Sequence, residues 1–109
     1  MTVQIEKANP VTFAKALADP TRQEIMELCC CTWMNVGDIA KAVGVSQPTV
    51  SHHLAILRDA DLVDIRIEGK HSFYTINQER MAYCCGQLIE VFAPESQTAI
   101  QLKSPPSAN

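Results

Sequence analysis

No apolar run in this chain approaches the ~20 residues that a membrane-crossing helix needs. Its opening, MTVQIEKANP, lacks the apolar centre of a secretory signal, so the expected compartment is the cytoplasm. A basic excess is missing too. Nine Lys and Arg stand against twelve Asp and Glu, for a net charge of −3, which weighs against non-specific binding of polyanions. Specific DNA binding is still open, because it depends on where the few cations sit. No Gly-rich phosphate loop, paired-acid motif or Ser/Cys–His–acid arrangement stands out, so no enzymatic role is expected. No internal repeat occurs. At 109 residues, 47% hydrophobic and 19% charged, the chain has the length and composition of one soluble domain with a modest core. Cysteine is plentiful, with five residues. In a reducing compartment these point to metal binding or redox chemistry, not to a disulfide framework.

The segment VSQPTVSHHLAILRDADLV, residues 45–63, carries the most information. Ser46 is a good N-cap, and Pro48 falls in the first turn, where its missing N–H costs nothing. Val50, Leu54 and Leu57 recur at i, i+4 and i+7, so one stripe faces a core. His52 lies opposite that stripe, with Gln47 and Ser51 on its flank. Such an outward side suits the reading of base edges in a major groove. Residues 36–44, VGDIAKAVG, predict a short preceding helix stopped by Gly44. Helix, Gly-containing turn and capped helix form a helix-turn-helix. Two β-rich runs, 62–67 and 72–76, flank a turn at Glu68-Gly69-Lys70-His71, and this hairpin is the wing. The predicted fold is mainly α with a small β-hairpin: a homodimeric winged helix-turn-helix. The candidate DNA-contacting residues are Ser46, Gln47, Thr49, Ser51, His52 and His53, with Arg58, Arg66 and Lys70, and Lys41 beside them. So few cations predict a modest salt dependence per protomer. A small helical domain that binds protein is the alternative reading of the same topology.

Helices are also expected at 11–18, 22–31 and 78–92, the last capped by Asn77. The last helix carries Met81, Cys84, Cys85, Leu88, Ile89 and Phe92 as one continuous apolar stripe. On a domain that already has a core, that stripe predicts a dimer contact. The DNA-binding and dimerisation domain is thus placed at 1–94, and the Pro-rich remainder, 95–109, is expected to be a flexible tail.

LADPTR at 17–22, GDIAKAVGVSQPTVSHHLAILRDADLV at 37–63 and EGKHSFYTI at 68–76 resemble the ArsR/SmtB family of bacterial winged-helix repressors. The resemblance covers about residues 12–92. It implies a homodimeric DNA-binding transcriptional repressor that holds a palindromic operator on double-stranded DNA. In that family an inducer, a metal or metalloid ion or in some members an oxidant or sulfur species, releases the protein. The familiar ion ligands are missing. Asn35 and Gly37 stand where arsenic-sensing members carry a Cys-x-Cys pair. Gln78, Arg80 and Val91 stand where zinc-sensing members carry ligands on the last helix. The chain also looks like the RexT-type redox-sensitive members.

Cys29, Cys30, Cys31, Cys84 and Cys85 are therefore the candidate sensor. Three consecutive residues on a helix point ~100° apart, so Cys29–Cys31 cannot all close on one ion while the helix stays regular. Cys29 continues an apolar stripe and reads as core, whereas Cys30 and Cys31 fall at a helix end. Peroxide could join these two in a vicinal disulfide. Their Cα atoms, ~3.8 Å apart, lie closer than a disulfide prefers, which makes such a bond easily reduced. Against this, the negative end of a helix raises a thiol pKa. Alternatively, Cys30 and Cys31 with Cys84 or Cys85 could bind a soft ion such as As(III), Cd(II), Pb(II) or Zn(II). Adjacent thiols suit the disulfide better than a coordination shell. The expected inducer is an oxidant such as peroxide; no resident cofactor is expected.

Overall fold

The first five helices each open on a side chain that accepts a backbone N–H, which satisfies donors that the helix itself cannot. The computed structural model describes residues 9–103. Asn9 caps α1 (Pro10–Leu17), and Asp19 caps α2 (Pro20–Leu28). Asn35 caps α3 (Val36–Val43), Ser46 caps α4 (Gln47–Asp59), and Asn77 caps α5 (Gln78–Phe92). Gly44 ends α3 at φ 80°, a left-handed conformation that glycine adopts without steric cost. The turn between α3 and α4 is therefore tight, and α4 leaves it at a set angle.

A three-stranded antiparallel sheet, in the order β1-β3-β2, follows from two parts of the chain. β2 (Val63–Glu68) and β3 (His71–Ile76) form the wing hairpin, registered from Val63 against Ile76 to Glu68 against His71. Gly69, at φ 61°, makes the turn. β1 (Met34–Asn35) pairs with Tyr74 and Phe73 of β3. No sequence pattern predicts β1, because two residues are too short to show alternation.

The core is contiguous. Phe13, Ile25, Ile39, Val50, Leu54, Leu57 and Leu62 are buried in it, with Cys29, Ile76 and Cys84. The predicted stripe Val50, Leu54, Leu57 is thus the inner face of α4.

Three expectations need correction. α2 stops at Leu28, so Cys29–Cys31 are not helical residues. The Cys29 carbonyl instead accepts from Ile76 N and Thr75 Oγ1, both at 2.9 Å, which ties the chain to β3. The apolar face of α5 is divided. Cys84 is buried, and Met81 and Leu88 pack on the protomer's own core, while Cys85 is exposed and Phe92 is 75% exposed. The domain core reaches only part of this helix, and its far end is left open. Lastly, part of the expected tail is ordered. α6 (Gln97–Lys103) packs against α5 and buries Ala99. Ser96 accepts from Ala99 N at 3.1 Å and so starts α6, a signal the Pro-rich composition masks. The rest of that tail, 104–109, and the chain start, 1–8, lie outside the described residues.

Candidate nucleic-acid interface and thiol pair

The outward side of α4 presents Gln47, Thr49, Ser51 and His52, all exposed. Ser46 is exposed too, but its hydroxyl is engaged. It accepts from Thr49 N at 3.2 Å and donates to Thr49 Oγ1 at 2.9 Å. The free hydrogen-bonding groups of the helix are therefore led by Gln47, Ser51 and His52. Lys41, in the last turn of α3, is exposed and borders the same surface depression as Ser46 and Gln47 at the start of α4.

The wing adds cations, partly neutralised. Lys70 is exposed at the hairpin turn. Arg66 lies over the Trp33 ring at 4.7 Å and the Phe73 ring at 5.7 Å, and its Nε meets Glu68 at 2.9 Å. Stacking on aromatic faces holds a guanidinium in place while leaving its edge usable. Nothing local in the sequence assigns Trp33 a role, because the stacking needs β1 to lie beside β3. Arg58, at the end of α4, pairs with Asp59 at 3.3 Å.

His53 is a correction. The sequence makes it a DNA-contacting candidate beside His52, but it is buried at 8% exposure. Arg22 Nη1 donates to His53 Nδ1 at 2.9 Å, and His53 Nε2 lies 3.9 Å from Asp19 Oδ1. A guanidinium is a donor only, so Nδ1 is the accepting nitrogen and the ring proton sits on Nε2, toward Asp19. Arg22 completes its bonding with the Ala16 carbonyl at 2.6 Å and the Lys15 carbonyl at 3.0 Å. Burial, the largest cause, holds His53 below the ordinary histidine pKa. Its place is to fix α4 against the α1–α2 junction, one helical step away from the surface that carries His52.

The thiols separate into three kinds. Cys29 is buried, and burial pushes its pKa up to about 11, which makes it a core residue. Cys84 is also buried and shifted upward, mainly by desolvation. Cys85 is exposed on α5. Cys30 and Cys31 are the pair that the structure brings together, with sulfurs 2.6 Å apart. The hydrogen bond with Cys31, then desolvation and the nearby Cys31 and Glu27 charges, hold the Cys30 pKa above the usual thiol range. Gln78, in the first turn of α5, donates to the Cys30 carbonyl at 2.9 Å and lies 3.7 Å from Cys31 Sγ. Sequence spacing of 48 residues hides that contact. The pair is thus joined to both the wing, through Cys29, and α5, through Gln78. Among the described residues no group of three or more His, Cys, Asp or Glu is placed to hold a metal ion, and no helix is long and apolar enough to cross a membrane.

The sequence and the fold are similar to those of known proteins. The family model described as bacterial regulatory protein, arsR family, matches residues 19–64. The transcriptional repressor SdpR of Bacillus subtilis is 40% identical over 63 residues, covering 58% of this chain and 70% of that one. An arsenical resistance operon repressor of Staphylococcus xylosus is 39% identical over 72 residues, covering 66% of this chain and 69% of that one. Among solved structures, the homodimeric winged helix-turn-helix DNA-binding domain from Mycobacterium bovis superposes with a TM-score of 0.61 at 29% identity, covering 74% of this chain and 77% of that one. With the helix-turn-helix, the wing and these relatives in agreement, the chain belongs to the ArsR family of bacterial regulatory proteins and is a winged-helix transcriptional repressor.

Proposed function

We propose that this repressor binds a palindromic operator as a homodimer and leaves it when Cys30 and Cys31 are oxidised, as a redox-sensing, RexT-like member of its family. The observation that carries the reading is the pair itself: two adjacent thiols with sulfurs 2.6 Å apart, on a segment bonded to the wing. Peroxide oxidises one thiol to a sulfenic acid and is itself reduced to water. The second thiol then displaces hydroxide from that sulfur, a second water forms, and the two thiols have given up two electrons in a disulfide.

The route to DNA is short. Closing a bond between Cys30 and Cys31 reorients the segment that holds the Cys29 carbonyl on β3 and runs through Trp33 into β1 and α3. In each protomer α4 would offer Gln47, Thr49, Ser51 and His52 to base edges, with Ser46 at the cap. Arg58, Arg66, Lys70 and Lys41 would meet phosphates. The exposed apolar residues Val11, Val91, Phe92, Ile100 and Leu102 support a twofold contact built on α1, α5 and α6.

The test compares operator binding by reduced, peroxide-treated and metal-loaded protein in one titration series. Release on peroxide, reversed by a dithiol reductant, is the expected result. Retention under peroxide with release by arsenite or cadmium would transfer the inducer role to a soft ion held by Cys30, Cys31 and a cysteine of α5, Cys84 or Cys85.

A further inference from the structure

Beside Cys30 the structure has a cavity of roughly 350 Å³ between α2, the end of β3 and the first turns of α5. Its walls are Leu17, Met26, Ile76 and Met81, and Gln23 and Glu27 stand at its polar edge. A volume of this order accepts a small ligand with one ring or a short chain. The apolar walls favour a hydrocarbon body over water. Cys30 is the thiol that lines the cavity, while Cys31, whose sulfur is 2.6 Å away, is exposed.

We infer that the cavity selects the oxidant, and that the thiol pair responds to organic hydroperoxides with an apolar body in preference to hydrogen peroxide. The inference rests on the redox reading above and gives it a substrate class. The hydroperoxide lodges its hydrocarbon part among Leu17, Met26, Ile76 and Met81, with its O–O bond at Cys30. The Cys30 sulfur attacks the terminal oxygen. The O–O bond breaks, the thiol proton goes to the leaving oxygen, and the products are an alcohol and Cys30 sulfenic acid. Cys31 then attacks that sulfur, water leaves, and the disulfide closes. Two thiols are oxidised and one hydroperoxide is reduced.

The reactivity of Cys30 bears on the same point. A thiol held above its usual range offers little thiolate to a dilute oxidant in bulk water. Binding the oxidant next to the sulfur raises its local concentration, which offsets that handicap for a molecule the cavity retains. Hydrogen peroxide has no apolar part to retain.

The experiment uses the full reduced chain and follows loss of the Cys30 and Cys31 thiols by mass spectrometry. Cumene hydroperoxide and hydrogen peroxide are compared, each rate divided by its rate with glutathione. The normalised preference for cumene hydroperoxide is expected to be at least tenfold. Gln23→Trp places a ring over the cavity from an exposed position, and should abolish the preference while leaving the hydrogen peroxide rate within twofold. Leu17→Ala widens the cavity and should keep the preference. An equal or greater normalised rate with hydrogen peroxide in the unsubstituted protein overturns the selectivity and leaves the redox switch standing. No thiol loss with either oxidant overturns both.

Discussion

Arg22 of α2 and His53 of α4 meet in the interior, Nη1 to Nδ1 at 2.9 Å, across 31 residues of sequence. The contact pins the DNA-facing helix to the α1–α2 junction, where Asp19 caps α2 and lies 3.9 Å from the far side of the same ring. His53→Ala would leave an Arg22 donor buried without its acceptor. Such an orphan costs about 1–3 kcal/mol. The substitution should lower the denaturation midpoint in urea, whereas His52→Ala, on the exposed neighbour, should leave it unchanged.

The same site predicts how stability varies with pH. Asp19 and Arg22 face the His53 ring from the α1–α2 junction, and His52 adjoins it on α4. Desolvation outweighs the pull of Asp19, so the folded-state pKa lies below the ordinary value of 6.5. The unfolded chain therefore takes up the proton first. Stability is complete above the ordinary histidine range, declines as pH falls through it, and levels off below the folded-state pKa. His53→Gln should flatten the decline in urea unfolding measured between pH 7 and pH 5. A slope that persists in that variant would place its origin elsewhere.

Operator binding should separate the two histidines in the opposite sense. His52 is exposed on the outer side of α4 with Gln47 and Ser51. Losing a base-edge contact costs about 1–3 kcal/mol. His52→Ala should therefore weaken the operator about fivefold or more in a gel-shift titration, with fold and dimer intact. Unchanged affinity would show that His52 makes no direct contact.

The two histidines also show where the sequence is legible. Caps, the Gly44 stop and the period of Val50, Leu54 and Leu57 are local signals, and they locate α3, α4 and the wing. His53 immediately follows His52, so composition treats them alike, yet a 100° step puts one in the core and one outside. Only the stripe distinguishes them: His53 falls next to Leu57 and Val50 on the wheel, and its burial needs Arg22 to arrive from another helix. Trp33 over Arg66, and Gln78 on the Cys30 carbonyl, are likewise long-range contacts without a local pattern. The cysteine run reads as helical because nothing local stops α2 at Leu28. The stop comes from β3, through the hydrogen bonds on the Cys29 carbonyl.

The dimer face is open to a direct test. Phe92 is 75% exposed at the end of α5, and Val91, Ile100 and Leu102 are also exposed. A carboxylate placed there would have to be desolvated on association, which costs several kcal/mol. Phe92→Glu should therefore yield monomers in sedimentation at micromolar concentration, and the monomer should bind a palindromic site poorly. Leu88→Glu is the less selective variant, because Leu88 also packs on the protomer's own core. Wild-type protein that sediments as a monomer would remove this face from the assembly.

The thiol switch predicts a division among the cysteines that packing alone does not. Cys30→Ser keeps a side chain of similar size at a half-buried position but removes the reacting sulfur. It should stay on the operator under a peroxide dose that releases the wild type by tenfold or more, a change of about 1.4 kcal/mol. Cys84→Ala, in the core, should lose some stability through the cavity it leaves, and should still respond. The single tryptophan, Trp33, stands two residues beyond Cys31 and against Arg66 of the wing. Its emission should therefore change when the pair oxidises and recover with a dithiol reductant, and should stay constant in Cys30→Ser. Peptide mapping then locates the bond. A Cys30–Cys31 linkage fits a switch that acts through β1 and the wing. A Cys30–Cys84 or Cys31–Cys85 linkage would shift the switch to the contact between the Cys30 segment and α5; Cys84→Ala would then fail to respond in the first case and Cys85→Ala in the second.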